Sequence, residues 1–141
     1  MATVKSINNG EQYSEMQKRK IMIVEDEIIP ARVMERILQS WGYEVCCLAS
    51  SLEDAITAAY LEEPDAIIMD VKINGRADGL EAARYIKTHF DTPIVFMSGY
   101  PDEIIKREAE PLSIGYMVKP VDFQKLKNLM ESIWLPGTVY Y

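Results

Sequence analysis

At 141 residues, with 48% apolar and 26% charged side chains, the chain has the size and composition of one globular domain with a single core. Its net charge of −7, from 22 acidic against 15 basic residues, argues against a binder of phosphate backbones, so no direct nucleic-acid contact is expected. No apolar run approaches the roughly 20 residues of a membrane span and no signal-peptide pattern opens the chain, which points to a cytoplasmic protein with no membrane partner.

Residues 1–18 are polar and aperiodic and read as a flexible N-terminal arm. The body, 19–134, alternates short apolar runs with stretches of helical spacing. Its first run is 21–24. A helix over 29–41 repeats Ile29, Val33 and Ile37, takes Pro30 in its first turn and stops at Gly42. The second run, 43–48, contains the only cysteines, Cys46 and Cys47. Neighbours in a strand point to opposite faces, so these two are poorly placed to bridge and are expected to stay reduced, with neither a disulfide framework nor a zinc set. A second helix covers 52–61 and ends before Pro64; the third run is 66–69.

A third helix opens after Asp78-Gly79 and carries Leu80, Ala83 and Phe90 to one side. The single histidine, His89, lies on this helix beside Lys87 and Thr88 and is given no catalytic part. The fourth run, 93–97, precedes a short helix over 102–108, and the fifth is 116–118. The last helix begins at Asp122, a good N-cap, with Phe123, Leu126, Met130 and Ile133 in register. Residues 135–141, which include a Pro-Gly stop, read as a C-terminal tail.

Five strands alternating with five helices predict an α/β fold: a doubly wound, five-stranded parallel sheet with helices on both faces. The first and third runs are apolar without alternation, as strands covered on both sides should be. Ligands of such sheets sit beyond the carboxyl ends of the strands. The residues there are Glu25 and Asp26 after the first run, Asp70 after the third, Ser98 after the fourth and Lys119 after the fifth. Singly, each is an ordinary turn or cap residue. Jointly, they bring three carboxylates, a hydroxyl and an ammonium to one edge.

Crowded carboxylates raise one another's pKa unless a cation joins them. Oxygen donors with no His or Cys favour Mg²⁺, which keeps waters and substrate phosphate in its shell; Mn²⁺ is the alternative. With such a cation Asp70 is a nucleophile for phosphoryl transfer, while Lys119 and Ser98 are placed to engage phosphoryl oxygens. Nothing in the chain resembles a nucleotide cradle: there is no GxxxxGK loop, and no GxGxxG follows the first strand.

The stretches Ile-Met-Ile-Val-Glu25-Asp26-Glu, Ala-Ile-Ile-Met-Asp70, Asp-Gly79-Leu-Glu, Val-Phe-Met-Ser98-Gly and Gly-Tyr116-Met-Val-Lys119-Pro120 resemble the receiver domains of two-component response regulators over nearly all of 20–134. The resemblance implies a flavodoxin-like (βα)5 fold with strand order 2-1-3-4-5. It implies that Asp70 takes a phosphoryl group from a phosphohistidine on a sensor histidine kinase or phosphotransfer protein. Asp26 would bind the metal directly, Glu25 through water, and Lys72 by its backbone carbonyl. Ser98 and Tyr116 would form the switch, and the Lys119–Pro120 bond would be cis. The output would pass to a downstream protein or a second copy of the chain through the fourth helix, fifth strand and fifth helix. Such a protein is a signalling receiver, not an enzyme with a separate substrate; it catalyses only its own phosphoryl transfer and slow aspartyl-phosphate hydrolysis.

Two positions depart from the family pattern. Ile73 and Asn74 stand where many receivers carry Met-Pro, and the stretch from Asp70 to Gly79 is one residue longer than usual. A haloacid-dehalogenase-type phosphatase would need an acid two residues beyond its nucleophile, where Lys72 stands. A flavodoxin-like flavin module would want a Ser/Thr-rich loop in place of Glu25-Asp26-Glu27. The alternative left open is a receiver that works without phosphorylation as an interaction module. A stand-alone regulator is the favoured organisation over a piece of a longer protein.

Overall fold

The computed structural model describes residues 18–100 and 102–135. Of the expected arm (1–18) and tail (135–141), all but Lys18 and Leu135 lie outside the described residues.

The elements in chain order are β1 (Lys20–Val24), α1 (Ile28–Ser40), β2 (Glu44–Ala49), α2 (Leu52–Glu62), β3 (Ala66–Asp70), α3 (Asp78–His89), β4 (Ile94–Ser98), α4 (Glu103–Ala109), a 3-10 turn (Glu110–Leu112), β5 (Gly115–Val118) and α5 (Phe123–Ile133). All four strand pairings are parallel, in the order β2-β1-β3-β4-β5. The expected fold is therefore observed.

Alternation along the strands divides the core into two layers. Met22, Val24, Ile67, Met69, Ile94 and Phe96 point towards α2, α3 and Ala109 of α4. Their neighbours Ile21, Ile23, Ile68, Val95 and Met97 point towards α1 and α5. Every residue of β3 and β4 is buried, which is why these strands read as unbroken apolar runs. Full burial of each such side chain is worth about 1.5–3 kcal/mol, so the two layers supply the main drive for the sheet.

Local chemistry sets the helix starts. The Ser51 hydroxyl accepts the Asp54 N–H at the start of α2, and the carboxylates of Asp102 and Asp122 each accept two N–H groups at the starts of α4 and α5. Leu126, Met130 and Ile133 are the buried stripe of α5, as their spacing predicted.

The spacing misled for α1. Ile29, Val33 and Ile37 do not form its core face; Ala31, Met34 and Leu38 do. Ile28, Ile29 and Val33 are exposed. Both sets satisfy helical periodicity, and only the position of the sheet chooses between them.

Candidate functional site

The strand ends are held by hydrogen bonds that prolong the sheet. The Glu25 N–H donates to the Ala49 carbonyl, Val71 N–H to Met97, and Lys119 N–H to Ser98, at 2.9, 2.9 and 2.8 Å. This fixes the backbone on both sides of each functional side chain before any side chain is considered. The Lys119–Pro120 bond is cis.

Lys119 lies at the centre. Its Nζ donates to Asp70 Oδ2 at 2.6 Å and to Glu25 Oε1 at 3.1 Å. Glu25 and Asp70 are almost fully buried, and Lys119 is about a third exposed. The other Glu25 oxygen accepts the Glu27 N–H at 3.1 Å. Glu25, Asp26 and Asp70 each place a carboxylate oxygen within 4.8 Å of the others. Sequence reasoning thus named the residues that the fold brings together.

Three negative charges around one ammonium leave the site short of positive charge. Burial raises the Asp70 carboxyl from 3.8 to about 6; Lys119 opposes this, and the charge of Glu25 adds to it. Lys119 itself is pushed down by burial, but its bonds to Asp70 and Glu25 outweigh that and hold it above its ordinary value. A hard divalent cation would relieve the imbalance, and the all-oxygen donor set suits Mg²⁺. Both oxygens of Glu25 are already engaged, whereas among the described residues Asp26 accepts only the Asn74 N–H, on Oδ2 at 2.9 Å.

The longer loop after Asp70 closes in a tight turn. Ile73 and Arg76 bond each other in both directions, N–H to carbonyl, at 2.8 and 3.2 Å. Asn74 and Gly75 between them have φ of 56° and 75°. This is the signature of a two-residue type I′ turn, and the Asn-Gly pair is the sequence signal that announces it. The turn delivers the Asn74 N–H to Asp26, a contact that sequence reasoning missed.

Gly79 is a second residue whose part was not foreseen. A Cβ there would lie 1.8 Å from the Asp70 carbonyl oxygen and 2.8 Å from that of Val71. The first turn of α3 can therefore press against the strand end that carries Asp70 only as glycine.

The hydrogen bonds of Ser98 run to Tyr100, not to the acidic cluster. The Ser98 hydroxyl donates to the Tyr100 carbonyl at 2.7 Å and accepts the Tyr100 N–H at 3.3 Å. The Tyr116 hydroxyl is already buried and has no hydrogen-bond partner among the described residues. Its ring packs against the α2–α3 layer with Lys106 Nζ 6.0 Å from the ring centre.

A doubly wound parallel sheet with three carboxylates and a lysine at its carboxyl edge is the arrangement of a receiver domain. The family model described as "Response regulator receiver domain" matches residues 21–131, and the chain belongs to that family. It is 32% identical over 114 residues to the "Transcriptional regulatory protein PdtaR" of Mycobacterium tuberculosis, a match covering 80% of this chain and 55% of that protein. The chain thus spans about half the length of the curated relatives it matches. Among solved structures it is similar to the signal receiver domain of a modulated diguanylate cyclase from Desulfovibrio desulfuricans, with TM-score 0.75, 28% identity, and coverage of 82% of this chain and 92% of that one. A putative response regulator from Chloroflexus aurantiacus gives TM-score 0.74 and 30% identity, covering 83% and 98%. Among the described residues no helix is long and apolar enough to cross a membrane.

Proposed function

We propose that this receiver accepts a phosphoryl group on Asp70 from a phosphohistidine of a sensor histidine kinase or phosphotransfer protein. The observation that carries the reading is Lys119 Nζ at 2.6 Å from Asp70 Oδ2, inside a cluster of three carboxylates. An Asp70 oxygen attacks phosphorus in line. The P–N bond breaks as the O–P bond forms, and the imidazole leaves with the electron pair.

Lys119 is placed to exchange part of its pairing with Asp70 for a phosphoryl oxygen, keeping a positive charge beside the transferring group. The residues suited to hold Mg²⁺, or Mn²⁺ in its place, are Asp26 and Asp70 directly, Glu25 through water and Lys72 through its carbonyl. Such a cation, when bound, neutralises charge on the phosphoryl oxygens. The Asn74 N–H keeps Asp26 turned towards the cluster.

The signal leaves through Ser98 and Tyr116. Phosphorylation adds about −1.5 to −2 charges and three acceptors, against which the Ser98 hydroxyl can exchange its bond to Tyr100. A buried hydroxyl without a partner costs about 1–3 kcal/mol, the size of a typical allosteric coupling, and turning Tyr116 outward would relieve that cost. The α4-β5-α5 surface would then change for a downstream protein or a second copy of the chain.

The test is incubation with Mg²⁺ and a small phosphodonor, followed by intact mass. One added phosphoryl group is expected, absent in Asp70→Asn and after chelation of the metal. Failure to label with any donor would overturn the reading in favour of an interaction module that works without phosphate.

A further inference from the structure

Helix α1 carries apolar residues on two faces, and the fold uses one of them. Ala31, Met34 and Leu38 face the sheet, while Ile28, Ile29 and Val33 are 61, 73 and 47% exposed. Three large aliphatic side chains gathered on one stretch of helix form a patch, unlike the single apolar residues that any surface carries. The patch continues into a cavity of about 400 Å³ between α1 and the start of α5, which Ile29, Val33 and Phe123 line and whose wall also includes Glu25 and Lys119.

Charge is ordered along the same helix. Glu27 stands at its start and Arg36 lies beyond the patch, about 13 Å further along the axis. Arg32, between them, is paired with Glu35 at 2.8 Å. Among the described residues, neither the exposed Glu27 carboxylate nor the exposed Arg36 guanidinium has an ionic partner. An acid at one end, a base at the other and aliphatic side chains between them make a pattern complementary to its own copy turned end for end, which is what a two-fold interface requires. A net charge of −7 makes two copies repel in general, so contact is favoured where opposite charges face each other.

We propose that the outer face of α1 is an interface between two copies of this chain, packed antiparallel about a two-fold axis midway between Glu27 and Arg36. Each Glu27 then meets the partner's Arg36, and the aliphatic patches meet across the axis. One helix about 20 Å long on each side places the contact at the small end of interface sizes, so the dimer is weak and forms as concentration rises. Because the patch shares its cavity with Glu25 and Lys119, a seated copy covers one flank of the acidic site.

Sedimentation equilibrium of the full chain over a range of concentrations, at low salt, tests the proposal. The expected result is a reversible monomer–dimer equilibrium that weakens as salt is added, because the end pairs are exposed. Glu27→Arg alone and Arg36→Glu alone each set like charges against each other across the axis, and each should weaken dimerisation about tenfold. An equimolar mixture of the two variants restores opposite charges at both ends and should dimerise about as well as the unaltered chain. That recovery requires both variants to be folded, so it separates loss of the contact from damage to the fold. A chain that stays monomeric, a dimer indifferent to both reversals, or a mixture that associates no better than its components would overturn the proposal. So would a monomeric chain whose Val33→Asp variant labels normally with a small phosphodonor but slowly from a phosphohistidine protein, which would assign the patch to the donor.

Discussion

Replacing Asp70 by Asn in metal-free protein is expected to stabilise the fold above pH 6 and to do little at pH 4. Folded Asp70 keeps its proton up to about 6, whereas the unfolded chain releases it near 3.8. Between these values the folded state holds the extra proton, so stability falls as pH rises through the window, and above it the full cost of the buried charge remains. The difference corresponds to at most about 3 kcal/mol at 1.36 kcal/mol per pH unit. The value of about 6 already contains the opposing pull of Lys119, so Asn, which keeps the shape without the charge, is expected to gain about 1–3 kcal/mol. Thermal unfolding with a chelator at pH 8 should show the variant melting several degrees higher, and at pH 4 the two curves should converge. Adding Mg²⁺ should raise the unaltered protein and narrow the gap, because a ligand of the folded state stabilises it. A variant that melts at or below the unaltered protein at pH 8 without metal would refute the idea that burial dominates at Asp70.

Two further substitutions probe the frame of the site. Gly79→Ala drives a methyl into the Asp70 carbonyl, and with backbone on the other side nothing can yield cheaply. A loss of about 1–3 kcal/mol in denaturant unfolding is expected, together with weaker phosphodonor labelling. Gly75→Ala puts a side chain where φ is +75° with open space around it, so the cost is conformational alone, about 1–2 kcal/mol. Because that turn carries the Asn74 N–H to Asp26, calorimetry should also show weaker Mg²⁺ binding.

Much of this protein is legible in one dimension. The five apolar runs and their punctuation determine the α/β class, because a parallel sheet buried on both faces needs uninterrupted hydrophobic strands. Polar residues ending those runs mark the site, since a strand end is where a parallel sheet meets solvent. Glu25, Asp26, Asp70 and Lys119 were all readable on that ground, and the fold gathers them. Asn74-Gly75 was readable too, as a turn signal, but its contact with Asp26 spans elements far apart in the chain.

The rest belonged to tertiary structure. Periodicity alone could not say whether α1 buries Ile29 and Val33 or Met34 and Leu38, because a helix with apolar residues on two faces takes its orientation from the sheet it covers. The strand alternation that separates Cys46 from Cys47 fails at a bulge, which arises from pairing with β1 and leaves no mark in β2 itself. The crowding at Gly79 exists only because the first turn of α3 returns to the end of β3. Local sequence determines what a segment can form; burial and close approach are properties of pairs of segments, and only the folded chain decides them.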